Sequence, residues 1–245
     1  MNSGANSHEI RVLVVDDSAF MRTVLTRLIE SDPCLKVVAT AQDGLEALEK
    51  IVATQPDVVT LDIEMPRLDG LETLKRIMAE CPRPVLMISS VTQEGAEITF
   101  EALGLGAFDY IPKQMSNVSL DMVNIRDDLM TKIKAAAIAG RRKPVQRVPS
   151  ALGAIASAPR RPSALVPSIV SIGTSTGGPR ALQDILPLLP ADLKVGILVV
   201  QHMPPGFTGP FAHRLNNLCK SLYRRRRMEP QFLLGLPTSR QPDCT

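Results

Sequence analysis

The chain has 245 residues, 44% of them hydrophobic and 22% charged. That is enough apolar material for two ordinary domains, and it excludes global disorder. The net charge is +3, yet eight basic residues and no acid fall between Leu129 and Pro167 (Lys132, Lys134, Arg141, Arg142, Lys143, Arg147, Arg160, Arg161), so the positive charge is a property of one segment and gives no basic face for nucleic acid.

No stretch approaches the ~20 consecutive apolar residues of a membrane span, and Met1 to Ile10 lacks the apolar stretch of a signal peptide. A cytoplasmic address is expected. Cys34, Cys81, Cys219 and Cys244 are scattered, which suggests reduced thiols rather than a zinc site or a disulfide framework.

From Arg11 to about Ile138, short apolar runs alternate with helical patterns, the signature of a parallel sheet with crossover helices. The runs are Val12 to Val15, Val37 to Thr40, Val58 to Leu61, Val85 to Ile88 and Phe108 to Ile111, so five strands are expected. Phe20, Met21, Val24, Leu25, Leu28 and Ile29 share one helix face. The sets Leu45, Leu48, Ile51, Val52 and Leu71, Leu74, Ile77, Met78 repeat that spacing, with Gly44 and Gly70 near their starts. From Ala135 to Pro167 the composition turns to Ala, Pro, Arg and Ser, which reads as a linker. A second α/β pattern follows: a strand Ser168 to Ile172, a Gly-rich turn, a helix from about Arg180 to Leu186 and a strand Val195 to Gln201.

Right-handed crossovers align the C-terminal ends of the strands along one edge, where open α/β sheets bind ligands. At that edge the first strand ends in Asp16 and Asp17, the third in Asp62, the fourth in Ser89, and the fifth in Tyr110 followed by Lys113. An acid after a strand can merely cap the next helix. That reading serves one aspartate but not the whole constellation, whose three repelling carboxylates call for a divalent cation with oxygen ligands, most simply Mg²⁺.

The segments Val-Val-Asp-Asp-Ser (14 to 18), Leu-Asp-Ile-Glu-Met-Pro (61 to 66) with Asp69-Gly70, Ile-Ser-Ser (88 to 90) and Tyr-Ile-Pro-Lys (110 to 113) resemble the response-regulator receiver family over roughly residues 8 to 135. The resemblance implies a flavodoxin-like α/β fold with a five-stranded parallel sheet and Asp62 as phosphoacceptor. It further implies Mg²⁺ held by Asp16, Asp17, Asp62 and the Glu64 carbonyl, Lys113 on the phosphoryl oxygens, and Ser89 and Tyr110 as the switch. One departure is Gln114, where most receivers carry proline.

In the second pattern, Gly173-Thr174-Ser175-Thr176-Gly177-Gly178 satisfies G-x-S-x-G between a strand and a helix. On the loop alone a serine nucleophile and a phosphate-binding turn stand level. His202 directly follows the next strand, and adjacent parallel strands would bring its imidazole near Ser175 as a base; His213, on the following helix, reads as structural. Ile-Gly-Thr-Ser-Thr-Gly-Gly-Pro (172 to 179) and Gln-His-Met-Pro-Pro-Gly-Phe-Thr (201 to 208) resemble the chemotaxis protein-glutamate methylesterase family (CheB), which couples a receiver to a doubly wound hydrolase domain.

That resemblance implies a phosphorylation-activated esterase and glutamine deamidase. Ser175 is its nucleophile, His202 its general base, and Thr176 lies beside the oxyanion site. A chemotaxis histidine kinase and methyl-accepting chemotaxis receptors are the implied partners of a monomer that neither binds nucleic acid nor inserts in a membrane. The expected organisation is a receiver over 1 to 135, a linker over 136 to 167, the first part of the catalytic domain over 168 to 220, and an atypical tail over 221 to 245. The tail has Arg224 to Arg227 in a row, and no aspartate there, Asp243 included, suits the family's triad. The expectation is therefore a catalytically incomplete second domain, from truncation or an altered reading frame. Two rivals are a receiver with a non-enzymatic interaction or DNA-binding output, against which Val195 to Gln201 reads as a strand, and a nucleotide site at Gly173 to Gly178.

Overall fold

The computed structural model describes residues 9–90, 92–113, 119–141, 169–190, 193 and 195–219. Gln114, most of the expected linker and the tail after Cys219 lie outside the described residues. The expected strands appear as β1 (Ile10–Val15), β2 (Leu35–Ala41), β3 (Val58–Asp62), β4 (Val85–Ser90) and β5 (Asp109–Lys113). They form one parallel sheet in the order β2-β1-β3-β4-β5. This is the flavodoxin-like order, in which the chain reverses direction across the sheet between β1 and β3.

The crossover helices are α1 (Ala19–Glu30), α2 (Gly44–Thr54), α3 (Gly70–Glu80) and α4 (Gln93–Leu105), followed by α5 (Ser119–Arg141). Each of the first four starts at a residue whose side chain accepts from the helix's own amides: Ser18 from Met21, Asp43 from Leu45 and Glu46, Asp69 from Glu72, and Thr92 from Gly95. The sheet is covered on both faces. Leu25 and Ile29 of α1 join Leu129, Ile133 and Ala136 of α5 on one side, while Ile51, Leu74, Ile77, Phe100 and Leu103 from α2, α3 and α4 pack on the other.

The change of composition near Ala135 does not end the domain. α5 runs through Arg141, and Ala136 and Ala137 are buried against the sheet, so a linker beginning at 136 is a misreading. Alanine carries a high helix propensity and packs closely, and the prolines that break a helix begin only at Pro144.

The second unit consists of β6 (Ile169–Thr174), α6 (Gly178–Ile185), a 3₁₀ turn Leu186–Leu188, β7 (Gly196–Gln201) and α7 (Pro205–Leu218). β6 and β7 pair in parallel from Ile169 with Gly196 to Thr174 with Gln201. One face of this pair meets α6 and α7; on the other, Leu198 and Val200 are exposed.

The second unit docks through α6 and α7 against α4 of the first. Four of the chain's eight aromatic rings meet there. Tyr110 stacks on Phe207 with centroids 4.6 Å apart and planes 17° apart, and Phe100 lies 6.0 Å from Phe207 and 4.9 Å from Phe211. One continuous apolar cluster therefore links the five-stranded sheet to Leu182, Leu186, Phe211 and Leu215.

Gly70 fixes how closely α3 approaches β3: a methyl group there would strike the Asp62 carbonyl and lie 2.8 Å from Ile63 Cα. Backbone cannot yield as a flexible side chain does, so Gly70→Ala is expected to cost about 1–3 kcal/mol. Chemical denaturation checks this, and an alanine variant as stable as the parent would show that the loop has room.

Candidate functional site

At the C-terminal edge of the five-stranded sheet, Asp16 and Asp62 are buried and Asp17 is exposed. Their carboxylate oxygens lie within 4.8 Å of one another. Lys113 Nζ sits 2.7 Å from Asp62 Oδ2 and 3.2 Å from Asp16 Oδ2. Burial pushes the Asp62 carboxyl up from 3.8 to about 6, Lys113 draws it down, and the Asp16 carboxylate adds to the rise. Burial opposes the charge on Lys113, but Asp62 and Asp16 hold its ammonium above the ordinary range. Three carboxylates against one lysine leave negative charge uncompensated, and an oxygen-ligand divalent cation fits that donor set.

Glu64 follows in the loop after β3, exposed, and its carboxylate accepts from Ser90 Oγ at 3.3 Å. Ser89 is buried at the end of β4. Its hydroxyl lies 2.7 Å from Thr99 Oγ1 of α4 and 3.1 Å from the Gly95 carbonyl. Tyr110 is also buried, and burial raises its phenol well above the ordinary value. Its ring faces the second unit through Phe207, and Lys132 Nζ lies 5.2 Å above it.

In the second unit, Ser175 and His202 each follow the end of one of two paired parallel strands, and the His202 amide donates to the Thr174 carbonyl at 3.1 Å. Gln201 braces this edge: Thr174 Oγ1 donates to its Oε1 at 2.6 Å, and its Nε2 donates to the carbonyls of Ser175 at 3.0 Å and His202 at 2.9 Å. No hydrogen bond joins Ser175 Oγ to His202 among the described residues. The turn also differs from a strained nucleophile elbow, because the left-handed residue is Gly177 (φ 71°), not Ser175. Gly178 is required by space, since a methyl there would strike Gln201 Oε1 and lie 2.6 Å from Thr174 Cβ, whereas Gly173 has open space around it.

Ser175, Thr176, His202 and Met203 line one wall of a cleft of about 400 Å³, and Asp109, Tyr110 and Lys132 of the first unit line the other. The two candidate sites are thus joined by one five-residue strand, β5, which carries Lys113 at one end and Asp109 at the other. Asp109 and Gln201 escaped the sequence reading. An acid inside the apolar run Phe108 to Ile111 was the available signal for Asp109; nothing local marked Gln201, whose partners lie across the sheet. His213, expected to be structural, lies on α7, exposed and away from the cleft lining.

Residues 12–123 match the response regulator receiver domain family and residues 170–226 match CheB methylesterase. A protein-glutamate methylesterase/protein-glutamine glutaminase of Symbiobacterium thermophilum is 54% identical over 228 residues, covering 89% of this chain and 63% of that protein. Relatives of the same name from Oleidesulfovibrio alaskensis and Pyrococcus abyssi are 52% and 51% identical, each over 86% of this chain and over 63% and 58% of their own lengths. The chain thus spans somewhat less than two thirds of these relatives. The crystal structure of the response regulator domain of Thermotoga maritima CheB is 54% identical, covering 53% of this chain and 97% of that one at a TM-score of 0.49. No helix among the described residues is long and apolar enough to cross a membrane.

Asp62 is an acid whose native pKa is raised, so its ionised form costs stability above about pH 6, and that cost disappears below about pH 4 where the carboxyl is protonated in both states. Asp62→Asn is therefore expected to stabilise the metal-free protein at pH 7.5, by about 3 kcal/mol at most, with the gain shrinking to nothing as pH falls to 4. Urea unfolding at several pH values reads this directly. An asparagine variant less stable than the parent at pH 7.5 would show that the Lys113 pair outweighs burial.

Proposed function

The chain belongs to the chemotaxis protein-glutamate methylesterase family, and from that premise we propose that it couples phosphoryl acceptance at Asp62 to hydrolysis at Ser175 of glutamyl methyl esters, and of certain glutamine amides, on chemotaxis receptors. The observation that carries the reading is the shared cleft: Ser175 and His202 face Tyr110 and Asp109 of the receiver across about 400 Å³. A DNA-binding output is not favoured, because the second unit is a βαβα arrangement whose residues 170–226 match the methylesterase family.

At the receiver, a Mg²⁺ ion held by Asp16, Asp17, Asp62 and the Glu64 carbonyl would supply charge neutralisation for the incoming phosphoryl group. The Asp62 carboxylate oxygen attacks phosphorus in line and forms an aspartyl phosphate, while the kinase histidine nitrogen departs with the bonding pair. Lys113, already 2.7 Å from Asp62, pairs with a phosphoryl oxygen. Ser89 then turns its hydroxyl from Thr99 and Gly95 toward the phosphoryl group. Because Tyr110 stacks on Phe207, a shift of that ring reaches α7 directly.

At the second site, His202 takes the Ser175 proton as the hydroxyl oxygen attacks the ester carbonyl, and the backbone amide of Thr176 faces the developing oxyanion. The proton held by His202 leaves on methanol, or on ammonia when the substrate is an amide. Water then hydrolyses the acyl-serine by the same path in reverse. The expected kinase and receptor partners belong to this proposal.

Two experiments test the reading. Acetyl phosphate with Mg²⁺ should add one phosphoryl group per chain, and Asp62→Asn should remove it; an asparagine variant labelled at the parent's rate would relocate the nucleophile. In a version that carries the complete second domain, Ser175→Ala and His202→Ala should each lower methanol release from methylated receptors by about 10³-fold or more, since the members of such a unit act together; the chain as it stands is expected to show little esterase activity. Undiminished release from the Ser175 variant would return the turn to a phosphate-binding role.

A further inference from the structure

The loop that follows β3 holds a strained residue that the chemistry above does not use. Among the described residues, only Gln55 and Arg67 carry a side chain on a left-handed backbone, at φ 47° and 65°. Gln55 ends α2, a common place for that conformation. Arg67 lies instead at the centre of a three-residue turn, because the Leu68 amide donates to the Pro66 carbonyl at 2.8 Å. A turn of this kind with a positive central φ is the rare and strained form, and glycine would occupy it at the least cost. An arginine held there calls for a task that its side chain performs.

That side chain reaches a buried acid. The Arg67 guanidinium forms an ion pair with Asp43 Oδ2, and the Asp43 side chain is 1% exposed. The other oxygen, Oδ1, accepts from the amides of Leu45 at 2.9 Å and Glu46 at 3.0 Å at the start of α2. Arg67 thus brings positive charge to a carboxylate taken out of water. Beside the pair, the Gly44 amide donates to the Leu68 carbonyl at 3.3 Å, and Gly70 closes the loop by donating to the Ile63 carbonyl at 2.9 Å. Inside this closed loop lies Glu64, whose amide bonds the Asp62 carboxylate.

We propose that Arg67 is a positioning residue for the Asp62 site: through buried Asp43 it pins the loop after β3 to the start of α2, and so holds the Glu64 backbone in place beside Asp62. This rests on the reading of Asp62 and its Mg²⁺ site under the proposed function. Arg67 and Asp43 act through the loop backbone and not by contact with the metal or the phosphoryl group. Mg²⁺ demands a near-ideal octahedron with oxygens at about 2.0–2.1 Å, so a Glu64 carbonyl free to wander is a poorer ligand than one fixed in advance.

Two substitutions break the pair in different ways. Asp43→Asn keeps an oxygen to cap α2 and removes the charge; Arg67→Gly removes the guanidinium and relieves the strained turn. Calorimetry reads the Mg²⁺ affinity of the full chain, and amide hydrogen exchange reads Glu64 in the metal-free protein. Each variant is expected to bind Mg²⁺ about tenfold more weakly or worse, the usual result of losing a group that orients a metal ligand. Glu64 exchange should accelerate about tenfold while the amides of Val58 to Leu61 in β3 keep the parent's rate. The double variant should bind no more weakly than the weaker single variant, because either substitution alone breaks the same contact.

Parent-like Mg²⁺ binding in either variant overturns the proposal. So does a double variant in which the two losses multiply, since the residues would then act separately. Acceleration spread equally over β3 and Glu64 also overturns it and makes the pair a general stabiliser of the fold. Should Arg67→Gly fail to fold, Asp43→Asn must by itself loosen Glu64 and weaken Mg²⁺ binding, and a parent-like result there is decisive against the proposal. A parent that binds no Mg²⁺, or binds it unchanged after Asp62→Asn, refutes the reading of the metal site instead; Glu64 exchange in the metal-free variants then still decides whether Arg67 holds the loop.

Discussion

Parallel pairing of strands is the constraint from which the rest of this molecule follows. When β1, β3, β4 and β5 run the same way, their last residues must lie along one edge, and residues separated by tens of positions become neighbours there without any local signal drawing them together. Asp16, Asp62, Ser89 and Lys113 are neighbours for this reason. The same rule acts on the two strands of the second unit, where Ser175 follows β6 and His202 follows β7, with Thr174 and Gln201 cross-bonded between them. Two clusters of polar side chains thus arise from one geometric device, repeated.

The cost of crowding acids at such an edge is electrostatic. Burial raises the Asp62 carboxyl to about 6, a group held in the fold for what it does rather than for what it stabilises. Lys113 offsets part of this, and a divalent ion bound to the same oxygens would offset more. The glycine at position 70 serves the same end from the other side, letting α3 approach closely enough to meet the backbone of Asp62. Function at this edge is supported by groups whose own contribution is only shape.

The interface between the two units divides its labour between apolar and polar contacts. Phe100, Tyr110, Phe207 and Phe211 form a buried aromatic centre that favours docking over a broad range of small displacements, whereas Asp109 bonds the Gly177 amide at the start of α6 and Arg180, within α6, bonds the Gly106 carbonyl. Tyr110 belongs to both systems, since it lies in the receiver sheet and stacks on α7. A change in the receiver pocket therefore has a short physical route to the edge that carries Ser175 and His202, through one strand and one ring.

Much of this was legible in the amino-acid order. Strand and helix periodicity, the Asx and hydroxyl residues at helix starts, and the acids, hydroxyls and lysine that end the strands are local features, and they suffice for two α/β units with Asp62 and Ser175 at their edges. The end of the first unit was misread because an alanine-rich segment can be helix or linker according to what it packs on; the sheet face that buries Ala136 and Ala137 decides it. The commitment of Asp109 to Gly177, the stacking of Tyr110 on Phe207 and the bracing by Gln201 were decided only by tertiary structure. The Thr174–Gln201, Asp109–Gly177 and Tyr110–Phe207 contacts join groups 27, 68 and 97 positions apart in the chain, and no pattern of short-range spacing can encode a partner that becomes a neighbour only when distant segments pack together.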